Sequence, residues 1–191
     1  LYIGNDLIYK GDFIDSLYTG NGLLYMKNKV YEGSFLKSCF HGYGCMKFSN
    51  PINNIESITG IWLDSKPLAK TRMLIKYSDG KLYEGNINID TLKKHGMGKL
   101  SSENLSIECT WSNDIIDTKV IVKIASGNTY YEGYCVYNKE RIEYTGFGKL
   151  KTDKFEYEGN FENGEFSGTG KLMIQDEYTR EPVEYTGEFY K

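Results

Sequence analysis

Residues 156–174 read EYEGNFENGEFSGTGKLMI, and two interpretations compete for the Gly-Thr-Gly-Lys tetrad at 168–171. A phosphate-binding loop, G-x-x-x-x-G-K-[ST], would need a glycine and a Ser or Thr where Glu165 and Leu172 stand. The tetrad also recurs as GFGK at 146–149 and GMGK at 96–99, which a single nucleotide site does not require. Recurrence points to architecture.

Sliding the first half of the stretch along the chain finds YKGDF (9–13), YEGSF (31–35), ITGIW (58–62), YEGNI (83–87), IECTW (107–111), YEGYC (131–135), YEGNF (157–161) and YTGEF (185–189). Their central residues follow one another at intervals of 22 to 28. A period near 25 marks a repeat array, with units starting near 9, 31, 58, 83, 107, 131, 157 and 185. Five units carry a second half: TGNGLL (19–24), HGYGCM (41–46), HGMGKL (95–100), TGFGKL (145–150) and SGTGKL (167–172). Each unit is strand, turn, strand. Alternate residues of a strand share a face, which puts Tyr157, Gly159 and Phe161 on one side, and Gly168, Gly170 and Leu172 together on one side of theirs. An aromatic ring can lean across the bare backbone of a glycine on a neighbouring strand, so the tyrosines and the glycines are complementary halves of one packing arrangement.

These motifs, Y-x-G-x-[F/W] followed by G-x-G-x-[L/M], resemble the membrane occupation and recognition nexus (MORN) repeat from Tyr9 to Phe189. The resemblance implies an all-β fold: tandem antiparallel β-hairpins forming an elongated, twisted single-layer half-pipe whose concave groove is lined by aromatics. About 15 strands at ~4.8 Å would span roughly 70 Å. The whole chain, 1–191, is expected to form one such array, excised from a longer protein, because YTGEFYK supplies a first strand without its partner. Relatives append this array to kinases, methyltransferases, exchange factors or membrane anchors.

Composition agrees with strands and turns: 17 Tyr, 9 Phe and 21 Gly stand against 3 Pro. Twenty-six acidic and 23 basic side chains are interspersed and the net charge is −3, which argues against nucleic acid as a partner. Glu32, Glu84, Glu132 and Glu158 interleave the aromatics, where stacking on RNA would want Lys or Arg. No apolar run approaches the ~20 residues that span a bilayer, and LYIGNDLIYK has no leader character. A soluble chain in the reducing cytosol is expected, with Cys39, Cys45, Cys109 and Cys135 as free buried or half-buried thiols.

No chemistry-bearing constellation emerges. His41 and His95 each precede a G-x-G, a repeat position, and no metal-spaced cluster or triad accompanies them. The carboxylate pairs Glu162 with Glu165 and Asp114 with Asp117 fall in turns, where solvated pairs are the rule. No catalysis, cofactor or metal is expected. The candidate partner-binding groove consists of Phe13, Tyr31, Phe35, Trp62, Tyr83, Trp111, Tyr131, Tyr157 and Phe161, rigid amphipathic rings of the kind that dominate protein interfaces. The resemblance implies a helical or extended protein segment held there, joining of copies through terminal repeats, and a place in cytoskeletal or membrane-linked assemblies. The alternative it raises is phosphoinositide or membrane-surface binding, for which Lys93, Lys94 and His95 make one short basic cluster.

Two irregularities complete the expectation. Units three and five lack G-x-G, and bulky Met73 and Val122 take the glycine places, so the groove should be reshaped at Trp62 and Trp111. The polar insertions SNPINNIES (49–57) and QDEYTREPVE (175–184) should be surface loops between units. SDG (78–80) and ASG (125–127) should supply glycine at positive φ for tight turns between units.

Overall fold

A computed structural model describes residues 2–4, 7–116, 121–138, 141–175 and 181–190. The fold is all-β, with no helix among the described residues. The chain divides into two compact units, 1–98 and 99–191, each a single layer of antiparallel hairpins in chain order.

The first unit holds β1 (Tyr2–Gly4), β2 (Leu7–Ile14), β3 (Leu17–Met26), β4 (Lys29–Leu36), β5 (Cys39–Ile52), β6 (Ile55–Leu63), β7 (Lys66–Pro67), β8 (Met73–Tyr77) and β9 (Leu82–Ile87). The division between the units falls within β10 (Lys94–Ser101). The second unit continues with β11 (Ser106–Ser112), β12 (Ile115–Ile116), β13 (Val122–Ser126), β14 (Thr129–Asn138), β15 (Arg141–Lys151), β16 (Phe155–Glu162), β17 (Glu165–Gln175) and β18 (Pro182–Phe189).

Turn chemistry makes the hairpins. Asp15-Ser16, Lys37-Ser38, Asn53-Asn54, Asp64-Ser65, Asn113-Asp114 and Asn163-Gly164 all have positive φ at both residues. That is the type I′ geometry, whose twist matches the strands it joins. Neighbouring hairpins are tied together at these tips. Ser38 donates its N–H to the Tyr18 carbonyl at 3.0 Å and accepts the Tyr18 N–H on Oγ at 3.0 Å. Ser65 repeats the pair on Phe40, at 3.0 and 3.1 Å. Gly80 and Gly127 have the positive φ expected between units.

The glycines form a ladder. Within the first unit Gly11, Gly22, Gly33, Gly44 and Gly60 stand opposite one another in succession across β2 to β6. Within the second, Gly133, Gly148, Gly159, Gly170 and Gly187 do the same across β14 to β18. The other glycine of each G-x-G has a separate task. Gly20, Gly42, Gly96, Gly146 and Gly168 have φ between +57° and +79°, and pairing skips in register beside Gly11, Gly33, Gly133 and Gly159. Such a bulge requires the left-handed conformation that glycine adopts without a Cβ penalty.

The insertion at 49–57 is not a loop. Its residues extend β5 and open β6, closed by Asn53-Asn54, with register broken between Lys47 and Ile52. The Asn pair accepts two positive φ values at small cost, so a stretch with loop composition folds as a hairpin extension. At 175–184, Gln175 pairs with Pro182 and Ile174 with Val183, so the strands reach into the insertion; 176–180 lie outside the described residues.

Candidate functional site

One face of each sheet is aromatic, and a three-residue device builds it. Tyr31 turns its ring along the strand over Gly33 and Gly44, and a Cβ on Gly44 would lie 2.2 Å from the Tyr31 hydroxyl oxygen. The hydroxyl donates to the Ser34 carbonyl at 3.2 Å, at the bulge, so the ring is held at both ends. Tyr83 over Gly85 and Gly98 donates to Asn86 O at 2.7 Å, Tyr131 over Gly133 and Gly148 to Tyr134 O at 2.6 Å, and Tyr157 over Gly159 and Gly170 to Asn160 O at 2.9 Å. Tyr9, Tyr31, Tyr83, Tyr131 and Tyr157 have no exposed surface, and Tyr185 over Gly187 is half exposed.

A second ring stacks on each of four tyrosines. Tyr18 lies 4.0 Å from Tyr9, Phe40 4.0 Å from Tyr31, Tyr144 3.8 Å from Tyr131 and Phe166 3.8 Å from Tyr157, with interplanar angles of 11° to 17°. After Tyr9, Tyr31 and Tyr157 the Phe four residues on meets the ring edge-on, as Phe35 meets Tyr31 at 5.1 Å and 86°, whereas Cys135 takes that place after Tyr131. These stacking partners were missed in reading the sequence, although each stands two residues before the first glycine of G-x-G. In unit four that place belongs to Lys94, whose Nζ lies 5.4 Å over the Tyr77 ring.

Of the nine residues assigned to a partner groove, Tyr31, Phe35, Trp62, Tyr83, Trp111, Tyr131, Tyr157 and Phe161 are buried, each at 5% exposure or less. Phe13 is open at 41%. In a single-layer sheet these rings are the hydrophobic core, and Tyr31, Phe35 and Trp62, like Tyr131, Phe161 and Tyr157, pack against one another and their stacked second rings.

The expected reshaping at Trp62 is not found. Trp62 meets Tyr31 edge-on at 85° and Phe40 at 86°, as Phe35 meets Tyr9 at 78° and Tyr18 at 88°. Its indole N–H donates to the Gly44 carbonyl at 3.0 Å. The change lies one step back, where Ile58 replaces the tyrosine and the Met73 sulfur fills the space over Gly60, 2.4 Å from where a Cβ would stand. In unit five Ile107 replaces the tyrosine, Cys109 a glycine, and Val122 stands opposite Gly133. Where the tyrosine is lost, its glycines are filled.

The opposite face carries ion pairs in both units, most regularly in the second. In the second unit Lys123, Glu132, Lys149, Glu158 and Lys171 stand opposite one another in succession across β13 to β17. Lys123 reaches Glu132 at 3.6 Å, Lys149 reaches Glu156 at 2.6 Å and Glu158 at 3.8 Å, and Lys171 reaches Glu184 at 2.9 Å. The lysine of G-x-G-K is thus a rung of a charge ladder. In the first unit the hairpin tips carry exposed Ile14 and Leu17, Leu36, and Leu63, next to the stitched turns. In the second unit the tip of β11 and β12 also carries an exposed aliphatic, Ile115, whereas that of β16 and β17 carries exposed Glu162 and Glu165, facing each other across the turn.

Titration chemistry is pushed away from neutrality. Burial, with Cys45 alongside, raises Tyr31 to about 12. Burial also raises Cys109 to about 12, with Cys135 and Glu108 adding to it, and Cys135 to about 11. All four cysteines are free, Cys109 and Cys135 buried and Cys39 and Cys45 half-buried. His41 is half-buried and His95 exposed; Asp117 lies outside the described residues. Among the described residues no group of three or more His, Cys, Asp or Glu is placed to hold a metal, and no helix is long and apolar enough to cross a membrane. No protein-family model matches the chain, and neither does any curated protein.

Proposed function

We propose that the chain is a non-enzymatic protein-interaction scaffold of the MORN-repeat kind. The observation that carries this reading is the row of exposed aliphatic side chains at three consecutive hairpin tips of the first unit: Ile14, Leu17, Leu36 and Leu63. Aliphatic side chains left 41% to 63% exposed on successive polar turns are a mark of a surface that a partner covers. The aromatic face supports the same reading from behind. Its rings satisfy their own hydroxyls and lock each hairpin, so the tips are presented on a rigid frame.

An enzyme is a poorer fit, because the buried thiols and phenols titrate far above neutrality and a general base works near it. Anionic-lipid binding is also less supported. Lys123, Lys149, Lys151 and Lys171 of the second unit are committed to glutamates, whereas phosphate recognition wants clustered, free cations.

The test is quantitative pull-down with the native chain, Ile14→Lys with Leu36→Lys, and Phe13→Lys, after circular dichroism establishes that all three fold. Loss of the same specific partner from the tip variant alone supports the reading. Loss from the Phe13 variant alone would move the contact to the aromatic face. Sedimentation with anionic liposomes and no captured protein would sink the scaffold in favour of lipid.

A further inference from the structure

At the end of the first unit's strands away from those tips, the turn between β3 and β4 and residues of the hairpin extension at 49–57 line a cleft of about 480 Å³. That volume lies toward the lower end of ligand sites, which run from roughly 300 to 1,000 Å³. Met26, Phe48, Pro51 and Ile52 make its apolar lining, and Lys27 and Lys29 stand on its rim. No Asp or Glu lines it. The remaining observation is electrostatic: Lys27 and Lys29 form no ion pair among the described residues, which is equally true of lysines such as Lys10, Lys37 and Lys66, but these two stand together beside an apolar cleft.

A repeat-equivalent cleft in the second unit, about 240 Å³, gives the comparison. It lies by the turn between β15 and β16, and its lysines share the lining with Asp153 and Glu156, Lys151 pairing with Glu156 at 3.5 Å. The one cleft is internally neutralised; the other keeps two free positive charges around an apolar floor.

We propose that the first-unit cleft binds an acidic peptide segment, seating an aromatic or aliphatic side chain on Phe48 and Ile52 while flanking carboxylates meet Lys27 and Lys29. This rests on the scaffold reading and names a class of partner for it, at a surface distinct from the hairpin tips. A peptide suits the site better than a bilayer does. Two lysines fall short of the 4 to 8 that lipid surfaces usually require. Charge complementarity at a rim also makes binding salt-sensitive.

The experiment is fluorescence anisotropy with the full chain and a labelled peptide, Gly-Asp-Glu-Phe-Leu-Asp-Glu-Gly, beside an analogue with Asn and Gln for its acids. Saturable binding of the acidic peptide is expected. It should weaken about tenfold in Lys27→Glu with Lys29→Glu, since reversing two rim charges roughly doubles the loss of each. Lys151→Glu with Lys154→Glu should leave it unchanged, and Ile52→Ser should weaken it with its salt dependence intact. Equal binding of the neutral analogue, equal loss in the second-unit variant, or no saturable binding would overturn the proposal. So would retention on phosphatidylserine vesicles that depends on Lys27 and Lys29 while the peptide fails to bind. If tip variants abolish partner capture and the peptide result is negative, the scaffold stands and only the cleft fails.

Discussion

Replacing Gly44 by alanine tests the central packing argument at one atom. The new Cβ would lie 2.2 Å from the Tyr31 hydroxyl oxygen and 2.4 Å from Cζ, so the ring must leave its place. Tyr31 has no exposed surface into which to swing. Moving it breaks the bond to the Ser34 carbonyl, about 1 kcal/mol. It disturbs the stack on Phe40, about 1 kcal/mol more. Strain from the displaced ring adds ~1 kcal/mol, the lower end of overpacking. The sum, about 3 kcal/mol, is a large share of the stability of an ordinary domain. The same substitution in a Tyr31→Ile background should cost nothing or stabilise slightly, because the clash is gone and alanine outranks glycine in a strand. The chain already contains that outcome in Ile58 with Met73. Urea unfolding gives the four corners of the cycle, read by Trp62 fluorescence in a common Trp111→Phe background. Trp62 is a local reporter, with its ring 5.5 Å from Tyr31. A coupling of about 3 kcal/mol is expected. Equal costs in both backgrounds would refute the argument that ring and glycine form one unit.

Three further outcomes follow from the same geometry. Tyr157→Phe should lower stability by about 1 kcal/mol by deleting a buried hydroxyl's bond, whereas Tyr185→Phe, at a half-exposed ring, should change it by a few tenths. Stability should fall between pH 10 and about 12: Tyr31 ionises near 10 when unfolded and near 12 when folded, so the stability it contributes is intact below 10 and lost through that window. Unfolding at fixed urea across that range, with Tyr31→Phe removing part of the slope, checks the sign. Finally, iodoacetamide at pH 8 should alkylate half-buried Cys39 and Cys45 well before Cys109 and Cys135, whose thiols burial holds protonated, and peptide mapping over time reads the order.

The repeat was legible because its two partners recur in phase. Tyr31 and Gly33 are close in sequence, and the counterpart of Gly44 is the second glycine of G-x-G in every regular unit, so ring and vacancy can be matched from the motifs alone. The stacking rings escaped notice because Tyr18, Phe40, Tyr144 and Phe166 vary in identity and stand outside the quoted motif. The extension at 49–57 was misread because Asn and Pro signal a loop, and only the dihedrals show Asn53-Asn54 closing a hairpin. Burial was the least readable property of the aromatic face. Alternation tells which residues share a side, but whether rings on that side leave room for a guest depends on the stacked second ring, which fills it.

The charge ladder of the second unit bears on how a chain of near-copies avoids mispairing. The first-half strands β11, β14 and β16 present glutamate at the rung, Glu108, Glu132 and Glu158, with Thr186 of β18 the exception, and the facing strands β13, β15 and β17 present lysine, Lys123, Lys149 and Lys171. Strands therefore have a parity. Two of the same parity placed side by side would set like charges directly opposite, which is destabilising in a sheet. Of the wrong neighbours that a repetitive sequence offers during folding, those of equal parity are discouraged at the rung, and only slips by a whole repeat escape that penalty.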